Sequence, residues 1–195
     1  MNEPWRFAGE PGGGVGGGTL PTLVEGSTFC ISDARGDITA GGSPQGLFVR
    51  DTRVLSEWQL LVNNQALAPL NVQRDEPFAA TFISRIPPAI GESESTLLVT
   101  RRRFVGDGLR EDITVRNTST TPHATTVTMI VNADFADLFE VKDQRAREPD
   151  DVVFSTDETT ARLTCRRGDQ ESFVSIVTDP FATISRGAIA WHFSL

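Results

Sequence analysis

The sequence predicts an all-β fold with little helix, in the form of a large two-sheet antiparallel β-sandwich. Three observations carry this expectation. From Leu20 onward apolar and polar residues alternate with period two in short runs. Turn residues interrupt those runs every ~8–12 residues, the spacing of sandwiches and barrels. Helical periodicity is confined to a turn or two around residues 133–141.

In chain order, residues 1–19 read as a disordered tail. Seven of the 17 glycines fall between Gly9 and Gly18, and such a stretch buries too little apolar surface to offset its ordering entropy. Gly12, Gly14 and Gly17 spell G-x-G-x-x-G, but no strand precedes them and no helix follows, so a dinucleotide loop is excluded. The ordered part is residues 20–195. Residues 23–32 are strand-like; residues 34–37 form a turn before a short strand at 38–40. After a loop at 41–44 come strands at 46–49 and 58–62. Asn63 and Asn64 suit the positive φ angles of a tight hairpin. An alternating run follows at 78–83. Residues 96–104 and 109–117 flank Gly106-Asp107-Gly108, the strongest hairpin signal in the chain. Val127, Met129 and Val131 mark another strand, and further runs lie at 152–155, 161–166, 173–177, 183–185 and 188–195. Stacking two sheets places Leu60, Val62, Phe82, Leu98, Ile113, Val115, Val127, Met129, Val131 and Ile176 in the core. The last run ends on Leu195 without turn or tail, which predicts a piece of something longer.

Composition narrows the function classes. The 195 residues carry a net charge of -8, which argues against nucleic acid or an anionic membrane as partner. No apolar run approaches the ~18 residues of a membrane span, and no basic flank precedes an apolar stretch. Two cysteines, Cys30 and Cys165, exclude a disulfide scaffold and a cysteine-built zinc site. These features predict a cytoplasmic protein.

The motifs offer little catalytic chemistry. His123 and His192 have no nucleophile elbow and no metal-ligand spacing, so neither a serine triad nor a metal or other cofactor is expected. Glu111-Asp112 and Asp157-Glu158 are adjacent; neighbours on a strand point to opposite faces and cannot flank one glycosidic bond. Asp134, Asp137 and Glu140 are spaced by three, which puts them on one side of a helical turn. A calcium ion, a partner's arginine, or a solvated turn cap each fit that trio. Arg101 and Arg103 share one strand face, and Arg102 shares the other with Leu98, Thr100 and Phe104. This predicts either an edge strand or an arginine paired under a loop. The Arg-Gly-Asp tripeptides at 35–37 and 167–169 read as turns. Asp51-Thr52-Arg53, between two strands, reads by itself as an ion pair fixing a corner.

The stretch GLFVRDTRVLSEWQLLVNN, beginning at Gly46, resembles the N-terminal domain of bacterial glycogen-debranching-type enzymes, the amylo-α-1,6-glucosidase-like proteins. SDARGDI upstream, REDITVRNTS from Arg110 and NADFADLFEVK from Asn132 are similar to the same family, over roughly residues 22–195. The resemblance implies a supersandwich-like β-sandwich ahead of a six-hairpin helical barrel. The barrel carries the two catalytic carboxylates that cleave α-1,6- and α-1,4-glucans, and the sandwich shapes its mouth. No run of amphipathic helices is present here. The expectation is therefore a domain with no activity of its own, partnered by the barrel and an α-glucan. Asp51, Arg53, Asp134, Asp137 and Glu140 are the residues expected to dock on the barrel or line its approach. The alternative is a self-standing carbohydrate-binding or assembly sandwich. The absence of tyrosine, and the placing of Trp58 and Trp191 in buried strands, weigh against a sugar platform.

Overall fold

The computed structural model describes residues 20–39, 43–88, 95–146 and 152–195; the glycine-rich tail lies outside them. Sixteen strands and one short helix are found among the described residues. β1 (Thr22–Glu25), β2 (Thr28–Ile31), β3 (Gly46–Val49) and β4 (Thr52–Leu55) form one antiparallel sheet in that order. A second sheet has the order β10-β9-β8-β7, from β7 (Ala68–Glu76), β8 (Ala79–Arg85), β9 (Leu97–Val105) and β10 (Leu109–Asn117). The third, β15-β16-β11-β5-β6, gathers β5 (Glu57–Val62), β6 (Gln65–Ala66), β11 (Ala124–Asn132), β15 (Thr183–Ser185) and β16 (Ala188–Ser194). The fourth is β12-β13-β14: β12 (Val153–Thr156), β13 (Thr160–Arg167) and β14 (Gln170–Val177). Helix α1 is Leu138–Lys142.

The fold is all-β with little helix, but the expected two-sheet sandwich is corrected. The strands separate into four sheets in a propeller-like arrangement, not two stacked layers. Alternation reports that one face of a strand is buried; it does not report which strands share a ladder. The chain changes sheets at points that carry no strong sequence signal. Ser56, between β4 and β5, donates its N–H to the Asn132 carbonyl at 3.0 Å and so leaves the first sheet for the third.

Local chemistry explains the elements. Residues 23–32 split at Gly26, whose φ of +58° turns β1 back on β2. Asn63 and Asn64 adopt φ of 51° and 60°, the hairpin turn expected between β5 and β6. β9 and β10 pair over their full length across the Gly106–Gly108 turn. The core draws on all four sheets, including Leu23, Leu47, Leu60, Val62, Phe82, Val99, Met129, Leu163 and Ile189. β3 is covered on both faces: Leu47 joins that core, while Phe48 joins Ala136 and Val141 beneath α1.

The structure buries the opposite face of β9 from the one that Leu98 predicts. Leu97, Val99, Arg101, Arg103 and Val105 are buried, and Leu98 lies on the opposite, half-buried face. β9 is internal to its sheet, so of the two readings of these arginines the edge fails and the one paired under a loop holds. Both point inward because carboxylates meet them there. Ile113 and Val115 are likewise only half-buried, since β10 is the last strand of its sheet.

Candidate functional site

The charged residues that pattern alone singles out assemble into two internal networks and one surface face. The first network is built on β9 and β10. Glu111 Oε2 accepts from Arg101 at 3.0 Å and from the Trp58 indole N–H at 2.8 Å; its Oε1 accepts from Arg103 Nε at 3.0 Å. Arg101 also donates to Asp37 and to the Arg35 carbonyl, and Arg103 to the Gly36 carbonyl. Asp37 in turn accepts the Leu60 N–H at 3.0 Å. The Arg-Gly-Asp at 35–37 is therefore a turn, as expected, but one folded inward as a cradle for two guanidinium groups. Gly36 is required there. Its φ is +84°, and a Cβ would meet the Phe82 ring at 3.0 Å.

Burial alone raises the pKa of Glu111, but Arg101 and Arg103 outweigh it and hold the carboxyl down at about 2. An acid that protonates a leaving glycosidic oxygen needs the opposite shift. Cys30 lies against Arg103, yet burial dominates and pushes its thiol up. Cys30 and Cys165 are both free and buried.

The second network holds Arg53 of β4 and Asp134, in the segment after β11. Arg53 Nε donates to Asp134 Oδ1 at 3.1 Å, its Nη2 pairs with the same carboxylate, and its Nη1 donates to the Gln45 carbonyl at 3.2 Å. Both side chains are buried. Gly46 leaves the space: a Cβ there would come within 2.5 Å of Arg53 Cδ. The backbones are joined as well. Arg53 N–H donates to the Ala136 carbonyl at 2.9 Å, and Leu138 N–H to the Asp51 carbonyl at 2.8 Å.

The surface face lies directly over that network. It combines the β3–β4 turn, where Arg50 and Asp51 take φ of 47° and 29°, with the N-terminus of α1. Asp137 is the N-cap and accepts the Phe139 N–H at 2.8 Å; Glu140 reaches back to the Asp137 N–H at 2.9 Å. Arg167 Nη1 stands 3.8 Å from Glu140 Oε2. Phe139 projects from the same helix, exposed.

The five sequence-derived candidates thus divide. Arg53 and Asp134 bind each other inside, while Asp51, Asp137 and Glu140 share the surface above them. Asp134 does not lie on one helical side with the other two, because α1 starts only at Leu138. Glu111 and Asp37, which the sequence offers only as half of an adjacent carboxylate pair and as a turn residue, are the partners of Arg101 and Arg103. The signal for them was present: two arginines on an apolar face demand buried carboxylates. Among the described residues no group of three or more His, Cys, Asp or Glu is placed to hold a metal ion.

A family model described as the N-terminal domain of (some) glycogen debranching enzymes matches residues 23–195. The chain belongs to that family. No curated protein matches it. The β-sandwich attached to the resemblance is corrected for this member by its four sheets. All four stretches that carry the resemblance fall in the two networks. SDARGDI supplies Asp37 and the Gly36 carbonyl, and REDITVRNTS supplies Glu111. The segment around Asp51-Thr52-Arg53 and NADFADLFEVK supply the Arg53–Asp134 pair and the face above it. No helix among the described residues is long and apolar enough to cross a membrane.

Proposed function

We propose that this chain is a non-catalytic domain of a glycogen-debranching-like α-glucosidase. In this reading it packs on the helical-barrel catalytic domain and shapes the approach to its active site. The single observation that carries it is the family match over residues 23–195. The chemistry of the charged groups supports it. The buried carboxylates of Asp37, Glu111 and Asp134 are engaged by guanidinium groups, and Glu111 is held ionised by them, the reverse of what a proton donor to a glycosidic oxygen needs. The docking face is the β3–β4 turn with α1, presenting Asp51, Asp137, Phe139 and Glu140. Its backbone is fixed from below by the Arg53–Asp134 pair. Loops and helix ends set on a rigid scaffold are where binding residues gather. The reading places the protein in the cytoplasm, where the free thiols of Cys30 and Cys165 remain reduced.

The test is made in the enzyme that contains this chain. Replacing Phe139 and Glu140 by alanine should lower debranching of a limit dextrin while the fold of residues 20–195 persists. Unchanged debranching with both side chains gone sinks the docking role.

A further inference from the structure

The outer face of the sheet formed by β7 to β10 is opposite in charge to the chain as a whole. Acidic residues outnumber basic ones 26 to 18 over the full sequence. On the outer rows of β8, β9 and β10 the balance reverses. Arg85, Arg102, Arg110 and Arg116 are exposed there, and Asp112 is the one carboxylate. Glu76 stands at the far end of β7, opposite Ala79. Asp112 pairs with Arg110 at 3.1 Å and lies opposite Arg102 across the ladder, so a single carboxylate answers two arginines. Arg102 is held against the Phe104 ring, its guanidinium 4.9 Å from the ring centre. Arg85 and Arg116 have no hydrogen bond or ion pair among the described residues.

The register sets those two arginines on either side of an apolar residue. Arg116 lies opposite Leu98, and Leu98 opposite Arg85. Neighbouring strands are ~4.8 Å apart, so the two arginines leave the sheet about 10 Å apart with half-buried Leu98 between them. The adjoining row, Thr114, Thr100 and Ile83, is uncharged. A partner that matches this face places carboxylate, apolar group and carboxylate in line over that distance. An extended chain repeats on one side every ~6.8 Å and falls out of step. On a helix, positions i and i+7 are about 10.5 Å apart on one face, with i+3 and i+4 between them.

We propose that this face binds an amphipathic helix of a partner protein. The helix carries two acidic residues seven positions apart, which meet Arg85 and Arg116, and apolar residues three and four positions in, which cover Leu98. Charge complementarity selects the partner, because guanidinium forks bind carboxylates in a fixed geometry and repel a basic helix. No residue of the docking face takes part, and the inference does not rest on the debranching role.

The probe is a fluorescein-labelled helical peptide, Ala-Ala-Lys-Ala-Ala-Glu-Ala-Ala-Leu-Leu-Ala-Ala-Glu-Ala-Ala-Lys-Ala-Ala, titrated into the full chain. One control carries lysine in place of both glutamates. A second exchanges the later glutamate with the alanine two positions before it, which takes it off the shared face. Saturable binding of the probe is expected, about fivefold tighter than the lysine form, with the displaced form in between and all of it weakening as salt rises. Arg85→Glu combined with Arg116→Glu, at exposed positions without partners, should reverse the preference between glutamate and lysine. If that variant does not fold, Arg85→Ala with Arg116→Ala should erase the preference. The proposal is overturned by an absence of saturable binding up to millimolar peptide, by a preference that these variants leave unmoved, or by equal binding of the displaced form. Two other occupants are covered as well. Binding tightened tenfold by Glu92→Gln with Glu94→Gln would mean that the chain's own segment 89–94 takes the face. A dimer in sedimentation that the double arginine variant dissolves would mean that a second copy does. In either case the proposal falls.

Discussion

Glu111 is the residue on which most of the buried charge depends. Its two oxygens answer Arg101, Arg103 and Trp58 together. Removing one partner from a buried ion-pair network leaves charge uncompensated, at a cost of roughly 3–5 kcal/mol. Glu111→Ala is therefore expected to lower the unfolding free energy by that amount in urea denaturation, with little change in far-ultraviolet circular dichroism of whatever remains folded. The pH dependence has a definite sign. The carboxyl is held at about 2 in the folded protein, below its unfolded value. Its contribution is complete above the unfolded pKa and is lost as pH falls from roughly 4.5 toward 2. Asp33 acts in the opposite sense, since burial and the nearby Asp37 raise its pKa. The wild type should still lose stability across this acid window, and Glu111→Gln should lose less. A wild-type curve flat between pH 5 and pH 3 contradicts the assignment. At Cys30, burial and a raised thiol pKa predict no reaction with an aromatic disulfide reagent until the protein unfolds. Fast labelling of the native chain would show the thiol to be accessible.

At the scale of elements, α1 has five residues and little intrinsic stability, so its capping box matters more than its length. Asp137→Ala removes the N-cap and should cost about 1 kcal/mol. Asp134→Ala leaves Arg53 buried without its carboxylate and should cost roughly 3–5 kcal/mol. Thermal melts of the two variants separate the surface residue from the internal one; equal shifts would mean that the two acids share one environment. The same two residues show how far sequence reaches. A spacing of three suggested one helical side for Asp134, Asp137 and Glu140. Asp137 and Glu140 keep that relation as N-cap and third helical residue, but Phe135 takes a φ of 49° and turns Asp134 inward before the helix starts. A positive φ at a bulky residue is a tertiary effect that no local pattern announces. The hairpins were more legible. Asn63-Asn64 and Gly106-Asp107-Gly108 carry their turn conformations in their own chemistry. β7 carries no strand signal in the sequence. It is interrupted by Pro69 and by two register shifts against β8, and most of its residues are exposed, so period-two alternation fails there.

For the whole molecule, the number of sheets was beyond the reach of alternation. The third sheet unites β5, β11 and β16, strands far apart in sequence, and no turn signal links them. The buried face of β9 escapes the pattern for a related reason. Leu98 is more hydrophobic than an arginine, and only Glu111 and Asp37, folded from elsewhere, make the arginine face the inner one. The stretches that carry the resemblance are legible as sequence, but their work is not: their buried ion pairs tie β9 and β10 to the turn at 35–37, and β4 to the segment after β11. The proposed function joins these networks to a role: buried charged residues hold together a domain proposed to be non-catalytic and support its proposed docking face. The most direct measurement is glucose release from glycogen and from a branched limit dextrin by the purified chain. None above a protein-free control is expected. Release that a single Asp or Glu substitution within residues 20–195 abolishes would contradict it.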